Sequence, residues 1–311
     1  MPAIRNVSVA EGDNRPGIDR FADNELSGVL QALVNVVMCR LTVYFGPNNS
    51  SGLIGALAKV VTSEPEKPAV MLITWGASED EWSPGAVRIV NGLIKHACRC
   101  GITVCCAAGD KGSDNGDCGA GRHRVIFPAS SPYAIAVGGS SLTEHEATAA
   151  METVWNNDDG WATGGGVSEL FARPKWQKCV GIPPSANPPH FVGRGVPDVA
   201  AHADLHRPYK FLNGGADVYL GGTSIAAAIW AALIARIAQH VGRPLGHLNP
   251  LLYELGAKGI GFNPIVEGNN GGYSAGPGWN PCCGWGSPKG TDLLEHIQAA
   301  IDAGWDGTKV D

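Results

Sequence analysis

At 311 residues, with 44% hydrophobic and 17% charged side chains, the chain can bury one sizeable core in one large domain. Its net charge of −6 is spread out with no basic stripe, which argues against a nucleic-acid partner. No apolar run approaches the roughly 20 residues a membrane helix needs, so no membrane role is expected.

The start, Met1-Pro2-Ala3-Ile4-Arg5-Asn6, lacks the apolar core of a signal peptide, so the chain as given carries no export address. Residues 1–23 read as polar and irregular, apart from a short alternation around Val7 and Val9. From 24 to 38 the apolar residues Leu26, Val29, Leu30, Leu33, Val34 and Val37 recur at helical spacing. A strand over 41–45, a helix over 52–62, a strand over 69–75, a helix over 84–99 and a strand over 103–108 are predicted to follow. This alternation implies right-handed crossovers and a mainly parallel sheet with helices on both faces, an α/β fold. The runs 69–74 and 104–107 are continuously apolar, as strands buried on both faces should be. Short strands are expected over 125–127 and 134–137, and the loop 193–200 leads into another, with Asp198 read as structural.

Nine cysteines is an odd number: Cys39, Cys98, Cys100, Cys105, Cys106, Cys118, Cys179, Cys282 and Cys283. None of their spacings is the paired Cys-x-x-Cys of a zinc site. Reduced structural thiols are expected for most, and a disulfide among Cys118, Cys179 and the Cys282/Cys283 pair stays open.

Two segments carry chemistry. Leu220-Gly221-Gly222-Thr223-Ser224 opens an alanine-rich helical run that continues to about Gln239. A serine there sits beside free backbone N–H groups at the positive end of the helix dipole, which suits a nucleophile whose attack creates an oxyanion. Thr223 or Ser224 acting only as a helix cap accounts for the same pattern. The second segment is Gly109-Asp110, delivered at the carboxyl end of the strand over 103–108, where open α/β sheets place their sites.

Gly-Gly-Thr-Ser before a small-residue helix resembles the nucleophile motif of the sedolisins, the serine-carboxyl peptidases. The resemblance extends to Thr42-Val43-Tyr44-Phe45-Gly46-Pro47-Asn48, Ile73-Thr74-Trp75-Gly76-Ala77-Ser78-Glu79 and Ala107-Ala108-Gly109-Asp110. It continues through Phe127-Pro128-Ala129-Ser130-Ser131-Pro132-Tyr133, Thr163-Gly164-Gly165-Gly166-Val167-Ser168, Gly195-Val196-Pro197-Asp198-Val199-Ala200 and Tyr273-Ser274-Ala275-Gly276-Pro277-Gly278-Trp279. It implies a subtilisin-like α/β fold over a single peptidase domain, 1–311, acting on peptide or protein substrates. It also implies secretion. Ser224 would be the nucleophile, and Asp110 the protonated oxyanion-hole residue that makes such enzymes work in acid. The Gly164–Gly166 run would lie near the substrate cleft.

The chain departs from the family pattern in several places. Sedolisins carry a Glu and, one turn later, an Asp on one face of the helix before the Val43-Tyr44-Phe45 strand. Counting back from that strand, these positions fall on Asn24 and Gly28; slipping by one brings in Glu25, followed by Val29. No register supplies both carboxylates. Peptidase activity is therefore expected to be abolished or severely impaired, and the alternative is a non-catalytic pseudopeptidase that keeps a peptide-binding cleft. An ordinary serine hydrolase with a histidine base ranks last, because neither His123 nor His202 lies in a His-Gly motif. The family's proline four residues after the serine is Ala228. Family calcium would be held by the carbonyls of Ile265, Gly276 and Gly278 and two Asp, but Pro264 and Asn280 stand in the Asp places. With both charges lost, little or no calcium binding and no other cofactor is expected, unless Asn263 or Glu267 substitutes. The family's longer N-terminal part, with a strand ahead of the acid/base helix, and its prodomain are expected to be missing from the chain as given. Unless another chain supplies that strand, an unpaired sheet edge is expected to result.

Overall fold

A computed structural model describes all residues except 1–2, 11, 13–16, 38, 64–66, 117–120, 146–147, 179 and 311. The first half contains β1 (Ile4–Ser8), α1 (Arg20–Val36), β2 (Leu41–Phe45), α2 (Ser50–Val61), β3 (Val70–Ile73), β4 (Ala77–Ser78), α3 (Pro84–Arg99), β5 (Thr103–Ala107), β6 (Ile126–Phe127), β7 (Ile135–His145) and β8 (Thr148–Val154). The second half adds β9 (Gly166–Ala172), β10 (Gly193–Val196), β11 (Val199–His202), β12 (Tyr209–Asn213), β13 (Ala216–Leu220), α4 (Thr223–Val241), α5 (Asn249–Ala257), β14 (Phe262–Asn263), β15 (Ser287–Pro288) and α6 (Gly290–Asp302).

The central sheet runs β11-β7-β5-β3, all parallel, with β8 antiparallel on β7. Every residue of β5 is buried. Cys105 points into the layer under the sheet with Trp230 and Ile234 of α4, and Cys106 into the opposite layer with Val60, Val90 and Ile94 of α2 and α3. This two-sided burial is why the strand reads as one apolar run. The alanines of α4 let it lie close beneath β3, β5, β7 and β11. At Thr223–Val241, α4 is long and apolar enough to cross a membrane, contrary to the expectation that no such segment exists, yet 61% of its apolar stretch is buried in this core.

The predicted alternation places β2 in the main sheet, but the structure does not. β2 pairs with β1 in a separate parallel ribbon, and β3 pairs with β5 alone among the described residues. The strand expected to be missing ahead of α1 is present as β1, paired with β2. The open edges lie instead between β2 and β3, which line a groove of about 1690 Å³ along with Leu26, Leu30 and Leu33 of α1. Strands hydrogen-bond only at about 4.8 Å separation. β1, read from sequence as irregular, is largely exposed, so its apolar alternation is weak.

Asp198 is structural, as read. Its Oδ2 accepts from Arg194 Nη2 (2.7 Å), the Ala136 amide (2.7 Å) and Asn249 Nδ2 (3.1 Å), and its Oδ1 from the Tyr253 hydroxyl (2.9 Å). Both members of the Arg194–Asp198 pair are fully buried. The seven described cysteines are unbridged. Cys282 donates to the Tyr273 carbonyl and Cys283 to that of Gly139. Cys118 and Cys179 lie outside the described residues.

Candidate active site

α1 and α4 cross so that Glu25 meets the start of α4. Asp19 caps α1, accepting from the Phe21 and Ala22 amides, and Val29 and Ala32 turn inward onto Ile225 and Ala228. One turn N-terminal to Val29 on the same face, Glu25 Oε1 accepts a 2.6 Å hydrogen bond from Ser224 Oγ.

The acid/base positions counted from β2 are thereby corrected. Asn24 faces away from Ser224, and its Oδ1 accepts from Asn213 Nδ2 of the β12–β13 hairpin (2.8 Å). Gly28 is pressed against the hairpin, where an added Cβ would come within 2.6 Å of Leu220 Cδ1 and 3.3 Å of Phe211. The register slipped by one is the one the helix adopts, with Glu25 in the first place and Val29, an apolar core residue, in the second. Each residue turns a helix by about 100°, so a one-residue miscount across the α1–β2 connection moves the carboxylate off the facing surface.

Gly222 precedes α4 with φ +88°, a left-handed conformation that favours glycine, and a Cβ there would stand 2.7 Å from Asp110 Oδ2. The close approach lets Asp110 Oδ1 accept from both the Thr223 amide (2.7 Å) and the Thr223 hydroxyl (2.8 Å). The same hydroxyl accepts from the Gly109 amide (3.1 Å). Asp110 Oδ1 is therefore occupied and Oδ2 is the oxygen left beside Gly222. Opposite, the Gly164 amide donates to the Gly109 carbonyl (2.7 Å), so the glycine run forms a wall beside Asp110.

Both carboxyls sit above their ordinary ranges. Burial raises Glu25, and the charge of Asp110 adds to the rise, against hydrogen bonds from Ser224 and Thr74 that lower it. Burial also raises Asp110, opposed by the two Thr223 bonds and by the charge of Lys111.

The candidate histidines are engaged elsewhere. His123 Nδ1 is paired with Ser113 Oγ (3.0 Å), and His202 lies between the Leu142 amide and the Arg207 carbonyl. Among the described residues no cluster of three or more His, Cys, Asp or Glu could hold a metal ion. Of the resemblance-derived calcium positions, Ile265, Gly276 and Asn280 converge, but through the Asn280 amide nitrogen rather than around a space for a cation. Glu25 is the functional candidate that counting back from β2 missed, entering only in the register slipped by one. The available signal was that a register slipped by one brings a Glu, the family's own residue type, into the first place.

The model of the subtilase family matches residues 9–248. The chain is 42% identical over 305 residues to kumamolisin of Bacillus sp. (strain MN-32), covering 95% of this chain and 55% of that protein. It is 30% identical over 321 residues to tripeptidyl-peptidase 1 of Homo sapiens, covering 95% and 54% respectively. It thus spans about half the length of these relatives. Pseudomonas sedolisin, a serine-carboxyl proteinase solved with two molecules of pseudo-iodotyrostatin, superposes with a TM-score of 0.83 at 27% identity over 96% of this chain and 85% of that one. Sphericase, at TM-score 0.54 and 15% identity, shares the fold. The subtilisin-like α/β class expected from sequence is the observed one, and the chain belongs to the subtilase family, in its sedolisin (serine-carboxyl peptidase) branch.

Proposed function

We propose that this chain hydrolyses peptide bonds at acidic pH, with Ser224 as nucleophile, Glu25 as general base and Asp110 as oxyanion donor, at a rate lowered by the missing second carboxylate. The observation that carries the reading is the 2.6 Å Ser224–Glu25 hydrogen bond at the amino end of α4. Glu25 accepts the hydroxyl proton as Oγ bonds to the scissile carbonyl carbon, and the carbonyl oxygen becomes an oxyanion. A proton on Asp110 Oδ2 supplies the hydrogen bond to that charge. Glu25 then returns its proton to the leaving amine as the C–N bond breaks, and water repeats the cycle on the acyl-enzyme. Val29 leaves Glu25 without the family's orienting carboxylate, so turnover lies well below that of an intact pair. The same substitution favours the second reading, a pseudopeptidase that keeps only a peptide-binding cleft. Incubation with a mixed peptide library in acidic buffer separates the two. Cleavage that disappears in Ser224→Ala supports a working nucleophile, and no cleavage by the folded wild type establishes the pseudopeptidase.

The roles of the two carboxyls set the pH profile. Glu25 must be ionised to accept a proton, so kcat/KM rises with pH through its raised pKa. Asp110 must stay protonated to donate, so kcat/KM falls again as Asp110 ionises. Asp110→Ala is expected to cost about 10²–10³-fold. Asp110→Asn keeps an oxygen for the two Thr223 donors and places an N–H where Oδ2 stood. It should recover part of that loss and lack the falling limb, leaving a rising limb set by Glu25. A falling limb that persists in Asp110→Asn would remove Asp110 from the titration.

A further inference from the structure

We infer that the side-chain amide of Asn280 stands in for the cation of the family's terminal loop, so that this chain holds the loop without calcium. Asn280 is buried, at 4% exposure. Its Oδ1 accepts from the Cys282 amide (3.1 Å) and the Cys283 amide (3.0 Å). Two backbone donors on one atom require that atom to be the oxygen, which assigns the other as nitrogen. That nitrogen donates to the Ile265 carbonyl (2.9 Å) and the Gly276 carbonyl (3.3 Å), two of the three carbonyls expected to face a metal. The backbone of Asn280 also pairs in both directions with Gly284.

The residues present do not fit calcium. Hard cations are bound by oxygen donors with carboxylate charge, and here two N–H bonds already point at the carbonyl oxygens. Pro264 has no side-chain donor atom, Asn263 Nδ2 is directed at Ser287 Oγ (3.3 Å), and Glu267 is exposed. A cation entering here would displace the amide and leave its N–H groups buried without acceptors, an added cost.

The knot also supports the wall beside Asp110. Thr163 Oγ1 donates to the Cys282 carbonyl (3.4 Å), Asn270 Nδ2 to the Gly165 carbonyl (3.4 Å), and the Pro281 carbonyl packs directly against Gly165. The loop that Asn280 cross-links through a neutral amide thus packs against the glycine wall.

The test is thermal unfolding of the whole chain at neutral pH in EDTA and in calcium chloride, with calcium titration calorimetry. The wild type is expected to show the same Tm in both and no binding heat. Asn280→Asp keeps the acceptor for the Cys282 and Cys283 amides but sets an oxygen against the Ile265 and Gly276 carbonyls. Its Tm should fall by several degrees in EDTA and recover in calcium chloride. A wild-type Tm that rises with calcium, stoichiometric calcium binding by the wild type, or an Asn280→Asp variant as stable in EDTA as the wild type would each overturn the inference. If Asn280→Asp does not fold in either buffer, the wild-type comparison still decides it.

Discussion

Glu25→Gln is expected to lower kcat/KM by on the order of 10⁴-fold or more, approaching the loss in Ser224→Ala. Gln keeps an oxygen for the Ser224 hydroxyl bond, so the 2.6 Å contact and the α1–α4 packing survive, but an amide cannot take the proton. The two residues act as one unit, so combining the substitutions should add little beyond either alone. Single-turnover measurements in acid on wild type, Glu25→Gln, Ser224→Ala and the double variant check this. Fully additive losses would mean that Glu25 does not serve Ser224. The wild type starts from a reduced rate because Val29, buried with Ile225 and Ala228, offers no carboxylate behind Glu25.

Asp198→Ala is expected to destabilise the fold by about 3–5 kcal/mol, because it strands a buried guanidinium without its counter-charge. Arg194 would keep its bonds to the Ser131, Ala134 and Gly195 carbonyls, but the Ala136 amide, Asn249 and Tyr253 would all lose an acceptor. Asp198→Asn keeps one oxygen and should cost less. Urea unfolding ranks the three proteins. Equal stability of wild type and Asp198→Ala would show that water or rearranged partners replace the carboxylate. The network joins β7, α5 and the segment between β10 and β11 and makes no hydrogen bond to Ser224, Glu25 or Asp110, so the loss should appear in stability before it appears in the pH profile.

Much of this molecule was legible one segment at a time. The alternation of apolar strands with helices specified an α/β sheet, because a strand buried on both faces reads as a nearly continuous apolar run, as 104–107 does. Gly222-Thr223-Ser224 and Gly109-Asp110 were legible as site elements because short contiguous segments carry their geometry. A left-handed glycine starts a helix, and a carboxyl ends a strand. The paired edges of the sheet were not legible, since β2 and β3 have the same apolar character whether they join or stand apart across a groove.

The base is the sharpest case. Glu25 and Ser224 lie 199 residues apart, and their contact depends on the rotational phase of α1, not on distance along the chain. That phase is set where Val29 and Ala32 lock onto Ile225 and Ala228 and where Gly28 lies against Leu220. Asn280 behaves alike: from sequence it is a lost carboxylate, and only the converging carbonyls of Ile265 and Gly276 reveal an amide in a cation's place. Local composition specified the elements and the nucleophile's setting by itself. Which carboxylate faces the serine, and what replaces the metal, was decided by helix phase and loop convergence, which exist only once distant segments pack.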